Sequence, residues 1–92
     1  MADKQAIVVL KAGDNVGTAV RDIQQGEAVV CKRGSVRALD DIPSGHKLAL
    51  EDIPEHAAVR KYGERIGIST QYIPAGKHVH VHNVLSIRKA KA

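Results

Sequence analysis

Four short segments of this chain share one shape, and that repetition limits the fold more than any other feature. They are Arg21-Asp22-Ile23-Gln24-Gln25-Gly26-Glu27-Ala28-Val29, Asp41-Ile42-Pro43-Ser44-Gly45-His46-Lys47-Leu48, Asp52-Ile53-Pro54-Glu55-His56-Ala57-Ala58-Val59 and Tyr72-Ile73-Pro74-Ala75-Gly76-Lys77-His78-Val79. Each sets an Ile before a turn of two or three residues, after which a polar residue leads into an apolar stretch. The anchors Ile23, Ile42, Ile53 and Ile73 are spaced 19, 11 and 20 apart, so the chain reads as two similar halves. The physics of the unit is local. Ile fills the core, Pro fixes φ at the first central turn position, and Gly supplies a positive φ where one is needed. In the third copy Glu55-His56 stands where Gly is expected. That turn therefore either differs or holds a non-Gly residue under mild strain.

The apolar residues favour strands. Eight Ile and eleven Val stand against five Leu and one Met, with no Phe or Trp. β-Branched side chains are stiff at χ1 and suit a pleated surface. Strands are expected near 5–11, 15–22, 28–31, 35–39, 46–50, 57–62, 65–69 and 77–83, which gives an all-β, folded-over or barrel-like domain. A turn of helix over Pro54–Tyr62, with Pro at its first position, is the rival local reading.

A chain of 92 residues makes one domain, with a core over 5–84 and a basic tail over 85–92. Such a domain buries only about 60–65% of its unfolded surface, so a partner subunit would supply useful burial. Cys31 is the single cysteine, which excludes an internal disulfide. The longest apolar run, Ala6-Ile7-Val8-Val9-Leu10, is far short of the roughly 20 residues of a membrane span. No secretory signal opens the chain, so a cytoplasmic address is expected. The net charge of +4 owes much to Arg88, Lys89 and Lys91; without those three, eleven basic residues face ten acidic ones. With Tyr62 and Tyr72 as the only aromatic side chains of the stacking type, a nucleic-acid partner is not expected.

The candidate chemistry centres on His78-Val79-His80-Val81-His82. On a strand, the alternation puts the imidazoles on one face and the valines on the core side. Alternate residues sit about 6.6–6.8 Å apart along a strand, whereas two nitrogens on one first-row metal lie about 3.3 Å apart. At most two of the three should therefore ligate one ion. A solvated edge, a metal or anionic-ligand site, and an interface all stay open on the residues alone. Gly45-His46-Lys47 offers a proton donor and a carboxylate-holding cation just after a tight turn, or else a plain surface turn. In Arg60-Lys61-Tyr62-Gly63, a strand projects Lys61 opposite its neighbours and Gly63 permits a bend. Asp14-Asn15 reads as a turn before a strand, and Cys31 as a small core residue.

Taken together, Asp14-Asn15-Val16, Gly45-His46-Lys47-Leu48-Ala49-Leu50, Lys61-Tyr62-Gly63 with Ile66-Gly67, and Ile73 to Asn83 resemble the N-terminal SAF domain of the altronate and galactarate dehydratases. The resemblance covers roughly 13–84 and implies a SAF-type β-clip fold of short strands and tight turns. It implies a lyase that eliminates water from a hydroxy acid, such as a sugar acid, to leave a 2-keto acid. It further implies a divalent metal, iron or manganese, shared with a large catalytic lyase subunit. Matching residue by residue, it points to His46, Lys47 and Lys61 as catalytic groups and to Tyr62, His78 and Asn83 as substrate contacts. His80 and His82 are the expected metal ligands. The chain also resembles the small subunit of sulfolactate sulfo-lyase, which releases sulfite. With no catalytic domain following Ala92, a free-standing small subunit, inactive alone, is the expectation. A non-enzymatic SAF module, as in pilus and flagellar assembly, is the reading from another class, and the missing export signal speaks against it.

Overall fold

The computed structural model describes residues 6–9, 11–31 and 34–86. Among these there is no helix, so the helical reading of 54–62 gives way to strand. The chain runs through β1 (Ile7–Val8), β2 (Val16–Ala19), β3 (Ala28–Cys31), β4 (Gly34–Arg37), β5 (Lys47–Ala49), β6 (Ala58–Lys61), β7 (Glu64–Ser69), β8 (His78–Val79) and β9 (Val84–Ser86). They form three antiparallel sheets, ordered β1-β2-β5-β8, β3-β4 and β6-β7-β9. The all-β expectation holds.

The repeat turns out to be a pairing device. Ile23 and Ile42 exchange both backbone hydrogen bonds at 2.8 Å, and Ile53 and Ile73 do the same at 2.7 and 2.8 Å. Each clasp sits in its own core. Ile23 and Ile42 pack with Ile7, Val29 and Leu48, while Ile53 and Ile73 pack with Val16, Val59 and Val79. The two halves seen in the spacing are thus two half-cores joined through the central sheet.

The turns need one correction. Glu27, His46 and Lys77 donate to the carbonyls of Gln24, Pro43 and Pro74, so Pro opens the turn and the residue after it takes the first central position. Gly26, Gly45 and Gly76 then carry φ of 91°, 88° and 92°. In the third copy His56 takes the same place at φ 65°, the strained alternative. Here the turn's own bond is replaced by a hydroxyl. Ser69 Oγ donates to Pro54 O at 2.5 Å and accepts from Ala57 N at 2.9 Å.

Near the C-terminus the chain departs from the expected strand over 77–83. β8 ends at Val79, and residues 80–83 form a turn closed by Asn83 N donating to His80 O at 3.1 Å. Val79 is buried as expected, but Val81 is 81% exposed and does not face the core. The cause is the Asn83 side chain. It is fully buried, accepts from His80 N at 2.9 Å and donates to His78 O at 2.9 Å. Those bonds draw both backbone groups into a loop instead of a ladder. After the loop, β9 pairs with β7 (Ile68↔Leu85), so ordered strand continues past the expected boundary at 84. The remaining tail, 87–92, lies outside the described residues.

Candidate metal and anion site

The central sheet assembles the histidines. Lys47 faces Val79 and Leu48 faces His78 across β5–β8. One step further along that register sets His46 opposite His80, and their rings stack with centroids 4.1 Å apart and planes 15° apart. The loop at 80–83 brings His78 alongside, with its Nε2 2.9 Å from His46 Nδ1. One donor nitrogen from each of His46, His78 and His80 then lies within 4.8 Å of the other two. Three half-buried imidazoles so placed fit a divalent first-row ion with only small ring movements.

This grouping differs from the expected metal pair. Of His80 and His82, the structure brings His80 together with His46 and His78, and His82 is not in that group. His82 is exposed and leans on His78, ring centroids 5.3 Å apart. Two members of the run are within ligand reach of one another, and the third imidazole of the group comes from the Gly45-His46-Lys47 turn.

Beside the triad opens a cleft of ≈ 550 Å³ whose walls include Lys47, Lys61, Tyr62, Arg65 and His80. Lys47 comes from β5 and Lys61 from the end of β6, so two sheets supply its cations. Burial holds the Lys47 ammonium below its ordinary pKa, and Lys61 adds repulsion in the same direction. The Lys61 ammonium lies 4.8 Å from the centre of the Tyr62 ring. Burial also lowers the His78 pKa; His46, His82 and His80 press the same way and Asp40 opposes them. For His80, burial leads again, followed by His46, Lys47 and His82. The site therefore gathers Lys47, Lys61 and Arg65 beside imidazoles, of which burial disfavours the charged form at His78 and His80, a composition that favours an anion or a metal ion.

Asn83, expected as a substrate contact, is buried beneath the histidine loop. Both ends of its amide are engaged with the backbone of His78 and His80, which makes it the former of the histidine loop. Sequence reasoning missed two supports. Asp40 accepts from His78 N at 3.0 Å and meets Lys77 Nζ at 3.4 Å. The Asp14-Asn15 pair is buried and grips the β6–β7 hairpin, with Asn15 Oδ1 accepting from Arg60 N at 2.7 Å and Asn15 Nδ2 donating to Ala58 O at 2.9 Å. Cys31 packs half-buried against the first core and does not line the cleft.

Residues 5–87 match the altronate/galactarate dehydratase SAF domain, and the chain belongs to that family. It is 43% identical over 79 residues to altronate dehydratase of Bacillus subtilis (strain 168), a match over 86% of this chain and 16% of that enzyme. It is 34% identical over 77 residues to galactarate dehydratase (L-threo-forming) of Escherichia coli (strain K12), over 84% of this chain and 12% of that enzyme. Over 49 residues it is 53% identical to the (2R)-sulfolactate sulfo-lyase subunit alpha of Chromohalobacter salexigens, covering 53% of this chain and 52% of that subunit. The chain thus spans under a fifth of those dehydratases and about half of that subunit. No helix among the described residues is long and apolar enough to cross a membrane.

Proposed function

We propose that this domain is the small part of a hydro-lyase that removes water from an altronate-type hydroxy acid to give a 2-keto acid. A large lyase subunit would supply the remaining catalytic groups. The observation that carries the reading is the placement of His46, His78 and His80 within ligand reach of one another beside the Lys47–Lys61 cleft. These three histidines would hold a divalent metal. When bound, that ion would supply Lewis-acid stabilisation to the enolate-like oxygen that forms as the proton beside the carboxylate leaves. An all-imidazole set suits iron better than manganese, which prefers oxygen donors.

The chain's own groups have separable roles. Lys47 and Lys61 receive the substrate carboxylate, and Tyr62 stands at the cleft wall to contact the polyol. His82, exposed beside His78, can hold a proton for the departing hydroxide. Asn83 keeps His78 and His80 in place. Sulfolactate as substrate is the second reading, favoured by the likeness to a sulfo-lyase subunit of which this chain covers 52%. In that case the same cations receive a dianion and sulfite departs.

Co-purification with a large lyase chain, followed by assay of 2-keto acid from altronate and sulfite from sulfolactate, tests both. Altronate turnover that requires this domain supports the first reading. Sulfite release alone supports the second. Full activity of the large chain without this domain overturns both.

A further inference from the structure

The tip of the β6–β7 hairpin is a two-residue turn in which Tyr62 (φ 59°) and Gly63 (φ 77°) are both left-handed. That turn matches the twist of the flanking strands, but Asn or Gly normally fills its first position. A tyrosine there crowds its Cβ against the next carbonyl. Something must hold it, and the structure shows what does. Tyr62 N donates to Asp14 Oδ2 at 2.9 Å and Gly63 N donates to Asp14 Oδ1 at 2.8 Å. Lys11 N also reaches Oδ2, at 3.3 Å. Asp14 as a whole is only 2% exposed although the residues it grips are exposed.

The same short segment ties the hairpin to the other sheet. Asn15 N donates to Arg60 O at 3.2 Å, and Asn15 O accepts from Leu50 N at 2.9 Å. Val16 then opens β2, where Thr18 stands opposite Lys47. Residues 14–18 therefore join the strand that carries Lys47 to the hairpin that carries Lys61.

We infer that Asp14 is a positioning residue of the cleft: its carboxylate fixes the hairpin tip so that Lys61 and Tyr62 stand over the cleft with Lys47 and His80. Its functional meaning rests on the anion-site reading above, but its geometry can be tested alone. Asp14→Asn keeps the side-chain size while turning an NH₂ toward N–H donors. In the whole chain, residual dipolar couplings of the Lys61, Tyr62 and Gly63 amides report how the hairpin tip is oriented relative to β5. If Asp14 sets the tip, these couplings move away from their native values in Asp14→Asn while those of the strands in the two cores stay. Unchanged tip couplings in Asp14→Asn overturn the inference.

A second measurement needs no variant. Tyr62 and Gly63 amides in the native chain should exchange at least about tenfold more slowly than unprotected amides, because a buried carboxylate accepts from both. Exchange at the unprotected rate overturns the inference as well. Neither readout involves a bound acid or turnover, so its failure is distinct from failure of the lyase reading.

Discussion

His46 Nδ1 and His78 Nε2 stand 2.9 Å apart, so one ring donates and the other accepts. A single hydrogen fits between them, and full protonation of both rings would turn attraction into repulsion. Burial, with the other histidines adding to it, already holds His78 and His80 below the ordinary imidazole value.

The sign for stability follows from linkage. As pH falls below about 6.5, the unfolded chain takes up protons at these positions before the folded chain does. Folded stability therefore declines from there down to the lowered native values, and levels off once both states are protonated. NMR titration of the rings should place His78 and His80 below 6.5. The urea midpoint of the metal-free chain should be lower at about pH 5 than at about pH 7.5, and this drop should shrink in His78→Gln.

Metal retention separates the histidines. His80→Ala should weaken binding of Fe²⁺ or Zn²⁺ by more than the roughly 10–100-fold that loss of a supporting group produces. His82→Ala should change it far less, because His82 is outside the group within ligand reach. Competition against a chromophoric chelator measures both, and equal losses would remove the assignment of His46, His78 and His80.

Asn83→Ala takes away an acceptor for His80 N and a donor for His78 O in one step. Buried groups left without partners should lower stability by about 1–3 kcal/mol, read from urea denaturation. The same variant should also lose metal affinity, since His78 and His80 are held in one loop by this amide.

Two glycines with the same backbone sign should respond differently. Gly26 has open space where a Cβ would stand, so Gly26→Ala carries only the left-handed strain, about 1–2 kcal/mol. At Gly76 a Cβ would meet Arg37 O at 2.0 Å, so Gly76→Ala must also push the β4 end away. The Gly76 variant should be markedly less stable than the Gly26 variant in thermal unfolding.

His56→Gly should go the other way. It relieves left-handed strain of about 1–2 kcal/mol, and glycine's greater freedom in the unfolded chain returns about 0.5–1 kcal/mol. The exposed contact of His56 with Glu55 at 3.4 Å offsets little. A small net rise in the unfolding midpoint is expected.

Much of the fold could be read locally because its cause is local. The excess of Ile and Val asks for strands, and the spacing of the Ile anchors marks two halves. The odd turn at Glu55-His56 announces itself by lacking Gly. The histidine loop could not be read that way. Alternation at 78–82 fits a strand, and only the side chain of Asn83, folding back onto 78 and 80, overrules it. Leu85 and Ser86 were masked by the same loop and by the charges that follow. Asp14 has its partners 48 and 49 positions away, so no nearby residue signals its role. The donor set was legible as residue types but not as a set, since joining His46 to His80 takes the β5–β8 register.

The paired isoleucines also bear on how the chain assembles. One pair closes a span of 19 residues and the other a span of 20. On the logarithmic scaling of ring closure, those spans differ in entropic penalty by only about 0.05 kcal/mol. Neither half has a head start from chain length, and the sequence of events in folding is left to side-chain packing, with the tight Gly turns of the first half set against the hydroxyl-bridged turn of the second.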